Sequence, residues 1–373
     1  MLRKYCQALV GLTIFLLGAS DLTAQEAVRG QLLDARSGEP VAGALIVMLD
    51  ADGGEVATTV TSSRGTYHVR APGAGVFRLR AERIGFENTV SDEIALLANQ
   101  TVSEELTASS SAIVLPLLAV ESETECRVRP EEGRATYVLW EEARKALQVT
   151  ERTAAGYRFD AVMYQRHVNL WGEALEQGDM RFVSMAGRHP FRSVPIEELE
   201  EQGFAREAEE GTYYYGPDAE VLLSDGFLDS HCFRYRMAGD DDAVVGLAFE
   251  PVREVRDRVD VEGVLWLDRE TAHLRTLEFS YTGVDRPTHL GTGPGPYGQM
   301  VFDQLPSGGW IVREWWIRTP TGSRQRGVQT YVTYAQQGGR VDRTEPLGPA
   351  RRDRRPVPSV YGPPPTADSS GAR

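Results

Sequence analysis

The sequence predicts a mainly β protein: a small two-sheet sandwich, then an α+β unit in which one helix packs on a large antiparallel meander sheet, an open half-barrel. Three observations carry this. Turn signals recur roughly every eight to twelve residues through 28–105, with no sustained helical period. The clearest amphipathic helix pattern is at 138–150. From residue 231 onward, strand-like runs follow one another across hairpin-sized connections, as in an antiparallel meander.

The chain opens with a basic start, "MLRK", an apolar run, "ALVGLTIFLLGA", and a small-residue exit ending at Ala24. That is the layout of a secretory signal peptide over 1–24, and the run is too short to span a bilayer. An exported, periplasmic or extracellular mature chain is the expectation, with no later transmembrane span. In residues 28–105 the strand candidates are "VRGQLLDA", "GALIVMLDA", "EVATTVTS", "TYHVRA" and "VFRLRAERIGF", separated by "RSGEP", "DGG", "SRG" and "PGAG". Aspartate and glycine in "DADGG" suit a tight turn. "TASSSAIVLPLLAVESETE", 107–125, passes from serine-rich to apolar to acidic, reading as a last strand and a linker over 113–125.

These residues resemble the carboxypeptidase regulatory-like domain, a prealbumin-like sandwich, over 25–112. Gly30, Asp34, Gly38, Pro40, Ala44, Val47, Gly65, Tyr67, Pro72, Gly73 and the closing Gly85-Phe86 carry the likeness, with Ser63 a departure from it. The resemblance implies a non-catalytic envelope module, sometimes grouped with carbohydrate-binding sandwiches. The zinc domain that accompanies this sandwich in metallocarboxypeptidases has no counterpart here.

In the second unit, 126–342, the helix at 138–150 places Val138, Leu139, Ala143, Leu147 and Val149 on an apolar side. Glu141, Glu142 and Lys145 fall on a polar one, with Glu141 and Lys145 spaced to pair. Strands are expected at 157–172 and 180–194, a helix-prone stretch at "PIEELEEQGFAREAEEG", then the meander ending in "VQTYVTYAQQ". The set resembles the C-terminal part of exported bacterial proteins that carry a regulatory-like domain, and its sheet pattern is similar to the half-barrel of outer-membrane lipoprotein carriers. Fold alone does not imply function. The stretch 343–373 is rich in proline and arginine and reads as a disordered tail.

Charge narrows the partners. The net charge is −14, and loss of Arg3, Lys4 and Asp21 with the leader takes it to −15. Such a chain offers no overall basic face to nucleic acid or anionic lipid. Lysine occurs only at Lys4 and Lys145. Cys126 and Cys232 survive processing, and an even pair in an oxidising compartment reads as a disulfide.

"DSHC", 229–232, invites a different reading, a hydrolase using Asp225, Asp229 and His231. On a strand, however, His231 and Cys232 point to opposite faces and do not meet. No catalytic, cofactor or metal residues are assigned. The histidines His68, His167, His189, His231, His273 and His289 show no metal-ligand spacing. "GPGPYG" formally fits a phosphate loop, but its prolines lack the needed amides. The acidic runs "DADGGE" and "GDDDA" read as turns.

Aromatic residues remain the candidates for ligand contact: Trp266, Phe279, Tyr281, Trp315 and Trp316. Core packing also accounts for them. Arg313 and Glu314, adjacent on one strand, weigh against a continuous apolar inner face. The functional expectation is thus a non-catalytic envelope binding or scaffolding module. A carrier of a lipid or other hydrophobic ligand is the first alternative, a carbohydrate-binding protein the second.

Overall fold

The computed structural model describes residues 26–110, 134–209, 211–238, 243–253, 258–284, 295–322 and 332–347. The signal-peptide stretch, the linker with Cys126, "GDDDA" at its aspartates and the tail beyond Leu347 lie outside them. The chain is mostly β, as the turn spacing predicts.

The first unit runs β1 (Ala27–Asp34), β2 (Leu45–Leu49), β3 (Glu55–Val60), β4 (Thr66–Arg70), β5 (Gly75–Glu82), β6 (Thr89–Val90), β7 (Ile94–Leu96) and β8 (Thr101–Ala108). One sheet is ordered β4-β1-β8 and the other β3-β2-β5-β6, with β7 on β5. β1 and β8 pair in parallel. Their inner faces bury Val28, Leu32, Ile46, Met48, Tyr67, Val69, Phe77 and Leu79. Strand β2 is buried on both faces, "LIVML", because its other side meets the second unit. The last described sandwich strand is β8. The apolar run at 112–120, expected to supply it, lies outside the described residues.

The second unit begins with α1 (Arg134–Gly156), then β9 (Tyr157–Val168), β10 (Asp179–Ala186), α2 (Ile196–Gln202), β11 (Ala205–Ala208), β12 (Gly211–Tyr214), α3 (Ala219–Leu223) and α4 (Asp225–Ser230). The meander follows as β13 (His231–Met237), β14 (Val244–Pro251), β15 (Asp260–Asp268), β16 (Leu274–Thr282), β17 (Tyr297–Gln304), β18 (Trp310–Gly322) and β19 (Val332–Pro346). Nine strands make one open antiparallel sheet, β10-β9-β19-β18-β17-β16-β15-β14-β13. β19 continues through Pro346, so the sheet takes in the first residues of the stretch read as tail.

One face of this sheet packs on α1. Across it, Phe233, Phe249, Gly263, Phe279, Gly298 and Ile317 are register partners. A Cβ at Gly263 would stand 2.7 Å from the Phe249 ring, and one at Gly298 2.4 Å from the Phe279 ring. The two glycines make room for the phenyl rings beside them. At the β17–β18 pair a bulge falls between Val301 and Phe302, so Val312 and Trp315 both reach the buried face. Arg313 is extruded to Asp303, at 2.7 Å through Nη2. Simple alternation, which places Arg313 or Glu314 on the inner face, fails here because of that extra residue.

The helix departs from expectation too. Leu139, Ala143, Leu147 and Val149 are buried as predicted, but so are Glu142 and Lys145. Lys145 pairs with Glu142 at 2.8 Å and donates to the Phe86 carbonyl at 3.0 Å. Glu142 in turn accepts the Gly85 amide at 2.9 Å, while Glu141 pairs with Arg144. The sandwich covers the polar side of the helix and offers its own backbone to the charges. Glu82, 1% exposed, joins Arg80 to Arg144 across the same seam. Gly43 and Gly308 meet backbone to backbone: a Cβ on Gly43 would lie 2.0 Å from the Gly308 oxygen.

Candidate binding site

The five candidate aromatics do not share a surface. Register places Phe279, Tyr281 and Trp315 on the α1 face and Trp266 and Trp316 on the opposite one. The first three are buried; Tyr281 donates to the Tyr215 carbonyl at 2.9 Å. Trp316 lies under the Arg318 guanidinium, and Trp266 Nε1 donates to Glu278.

Two hollows flank the sheet. On the α1 face, past the reach of the helix, a cavity of about 770 Å³ has a floor of Met163, Trp315, Ile317 and Gln337 and a roof of the segments 188–194 and 213–216. Met180, Arg181 and Met185 of β10 close its side. Its size lies within the range usual for small-molecule sites. On the other face a groove of about 640 Å³ runs past Arg234, Glu262, Glu278, Gln299, Tyr297 and Trp316.

His189 is the polar pivot of the first cavity. Its Nδ1 accepts the Phe191 amide at 3.0 Å, which leaves Nε2–H to donate to the Val312 carbonyl at 2.7 Å. The ring is set edgewise between Phe159 and Trp315. Burial without a carboxylate partner brings its pKa down to about 4, so it is neutral at pH 7. Asp218 fastens the roof by accepting from the Ser193 amide at 2.8 Å and capping α3 at Val221, and burial raises its pKa. The Ser193 hydroxyl is buried with no hydrogen-bond partner among the described residues. In the sequence His189 is one of several scattered histidines, and its partner carbonyl lies 123 residues away.

"DSHC" resolves into structure. His231 is 1% exposed and stacked on Phe227 at 3.8 Å. Its Nδ1 faces Ser230 Oγ at 3.0 Å and its Nε2 faces Asp260 at 3.3 Å. Ser230 Oγ also donates to the Gly226 carbonyl at 2.7 Å, closing the end of α4. Burial works against ionisation of Asp260, but the hydrogen bond and charge of His231, the Val261 amide and Arg258 together hold it below the usual carboxylate range. Asp225 and Asp229 are exposed on α4, away from that buried ring. These contacts place serine, histidine and aspartate in a line, but neither imidazole nitrogen opens to a substrate. Cys232 is buried on β13, and Cys126 lies outside the described residues. The "DADGG" turn is closed by Asp50, whose Oδ1 accepts the Asp52 and Gly54 amides.

The family model of the carboxypeptidase regulatory-like domain matches part of the chain. Residues 27–109 form that domain. This regulatory-like domain is the sandwich of β1–β8. No curated protein matches the chain. Among solved structures, the pilus 2b backbone protein of group B streptococcus is 12% identical, over 23% of this chain and 42% of that one, with a TM-score of 0.21. The chain thus spans less than half of that pilin. Shaft pilin SpaA from Lactobacillus rhamnosus GG is 9% identical over 67% of this chain and 95% of its own, at 0.21. A carbohydrate-binding protein, so described provisionally, from Bacteroides uniformis is 11% identical over 65% and 98%, at 0.19. Scores this low carry no argument about function.

Proposed function

We propose that the protein is a non-catalytic, exported envelope protein that binds an elongated apolar ligand, an acyl chain, in the cavity on the α1 face of its half-barrel. The observation that carries this reading is the cavity wall: Met163, Met185, Phe191, Trp315 and Ile317 meet around a neutral His189 and a Ser193 hydroxyl with no partner among the described residues. Flexible thioether side chains fit irregular apolar ligands, and one or two polar groups suffice to orient them. Extrusion of Arg313 at the bulge supports it, since the charge that spoke against an apolar inner face is turned aside.

In this reading the regulatory-like domain is a scaffold fixed to α1, and a Cys126–Cys232 bridge ties the start of the second unit to edge strand β13. The apolar leader supports export. The test is titration with dansylated undecanoic acid. The wild type is expected to bind one equivalent saturably, and Met185→Glu, which places a carboxylate in the half-buried wall, to bind at least tenfold more weakly. Equal binding by both would reject the cavity as the site. The groove of Glu262, Glu278, Gln299, Tyr297 and Trp316 favours a second reading, a glycan on the outer face, because carboxylates and amides beside aromatic rings suit sugar hydroxyls. Binding of soluble oligosaccharides that Trp316→Ala abolishes would support it.

A further inference from the structure

Exposed apolar surface is concentrated on one hairpin. Among the described residues twelve large apolar side chains are exposed, and five of them, Leu170, Trp171, Leu175, Met180 and Phe182, belong to the β9–β10 hairpin. Trp171 is 81% exposed and Phe182 82%. A sixth, Tyr213, lines the adjoining cavity. Large apolar side chains exposed together on one hairpin mark an interaction surface.

The exposure is built into the turn. Asn169 Oδ1 accepts the amides of Trp171 at 3.0 Å and Glu173 at 2.9 Å, and Asn169 Nδ2 donates to the Glu173 carboxylate at 2.7 Å. Gly172 has φ of +86°, and a Cβ there would stand 2.2 Å from the Arg318 guanidinium. The turn "NLWGE" is therefore a fixed mount that holds an indole in solvent. Such a side chain, with an apolar body and a polar N–H, is suited to the boundary between lipid and water.

Position distinguishes the occupants. β10 is an edge strand, and a strand added to it would pair with the free backbone. It would leave Leu170, Trp171 and Leu175 uncovered, because they lie beyond the last ladder pair, Asp179 with Gln165. Met180 and Phe182 pair with Tyr164 and Val162 on the outer face of the sheet, again off the edge. A surface that meets tip and outer face together covers all five.

Charge agrees. The chain as a whole is at −14, yet the cavity rim carries Arg181, Arg188 and Arg192 against Asp179. Arg192 is paired with Glu220, whereas Arg181 and Arg188 make no ion pair among the described residues. Of the acids of the turn, Glu176 is hydrogen-bonded to His167, while Glu173 accepts from the neutral Asn169 amide and keeps its charge. This end of the molecule is therefore less acidic than the chain as a whole, with Arg181 and Arg188 on the cavity rim to meet an anionic group.

We propose that the β9–β10 hairpin docks the protein on an anionic lipid surface. The tip and outer face enter the headgroup layer, Arg181 and Arg188 meet headgroup phosphates, and the cavity mouth opens at the bilayer. The inference rests on the acyl-chain reading of the cavity, since it supplies that cavity with its ligand from a membrane.

Flotation of the full mature chain with phosphatidylcholine vesicles, with and without phosphatidylglycerol, tests it. The wild type is expected to float with the anionic vesicles and Trp171→Ala/Phe182→Ser to bind them at least tenfold more weakly. Arg181→Gln/Arg188→Gln is expected to lose the preference for phosphatidylglycerol. Both variants alter exposed side chains, and unchanged thermal unfolding verifies their fold. Phe191→Glu, in the cavity roof and outside the hairpin, separates the two claims: it is expected to float like wild type while binding the dansylated acid at least tenfold more weakly. Wild type that stays with the aqueous phase, or a hairpin variant that floats unchanged, would overturn the docking proposal whatever the cavity binds. So would a wild-type dimer that Trp171→Ala/Phe182→Ser dissolves without any flotation, which would make the patch a contact between copies.

Discussion

Replacing Lys145 by methionine probes how the sandwich is joined to the half-barrel. The side chains of Lys145 and Glu142 are 5% and 8% exposed, and each also bonds a backbone group of the Gly85-Phe86 turn. Lys145→Met leaves the Glu142 carboxylate buried with one amide for company. Removing one partner of a buried pair costs roughly 3–5 kcal/mol. Glu142→Leu strands the ammonium in the same way. In the double variant no charge remains, and the cost falls to two unpaired backbone groups, about 1–3 kcal/mol each. The singles therefore sum to roughly 6–10 kcal/mol against roughly 2–6 for the double, and the midpoints differ by about 4 kcal/mol, the interaction expected. Equilibrium urea unfolding followed by tryptophan fluorescence measures the cycle. Single variants within about 0.5 kcal/mol of wild type, or effects that simply add, would mean that this face of α1 is solvated and the sandwich does not cover it.

Three further outcomes are expected. His189 titrates near 6.5 when unfolded and near 4 when folded, so the unfolded state binds the extra proton between those values. Its stabilising contribution is complete above pH 6.5 and falls by about 3 kcal/mol by pH 4, and His189→Asn should flatten the stability curve over that window. Gly43→Ala should cost at least about 2 kcal/mol more than Gly38→Ala in thermal unfolding. Both have positive φ, but only Gly43 meets a backbone, at Gly308. Cys232→Ser should lower stability by about 4–5 kcal/mol and reduction of the wild type should match it, as for a bridge closing a loop of roughly a hundred residues; a change only in the variant would point to packing.

The strands of the sandwich were legible because recurring turn residues report on local geometry. Helix α1 was legible in existence but not in environment. Its pattern marked Glu142 and Lys145 as polar, and nothing local records that a second unit brings the Phe86 carbonyl and Gly85 amide to meet them. The line through Phe279 and Trp315 was read as aromatic, but the bulge at Arg313 changed which residues share a face, and a bulge leaves no sequence mark here. The cavity gathers residues from β9, β10, β12, β18, β19 and the segments that follow β10 and β12, so no single stretch announces it. Trp171 and Phe182 fall within the strands expected at 157–172 and 180–194, and their exposure follows from the turn at Asn169 and from an outer sheet face that no described element covers.

Native mass spectrometry of residues 25–373, purified without denaturation from an oxidising compartment, tests the proposed acyl-chain site most directly. The expected spectrum carries excess mass that organic solvent extracts as lipid, present in wild type and absent from Met185→Glu. A bare chain mass in both, from cells whose envelope lipids were available to it, would contradict the account.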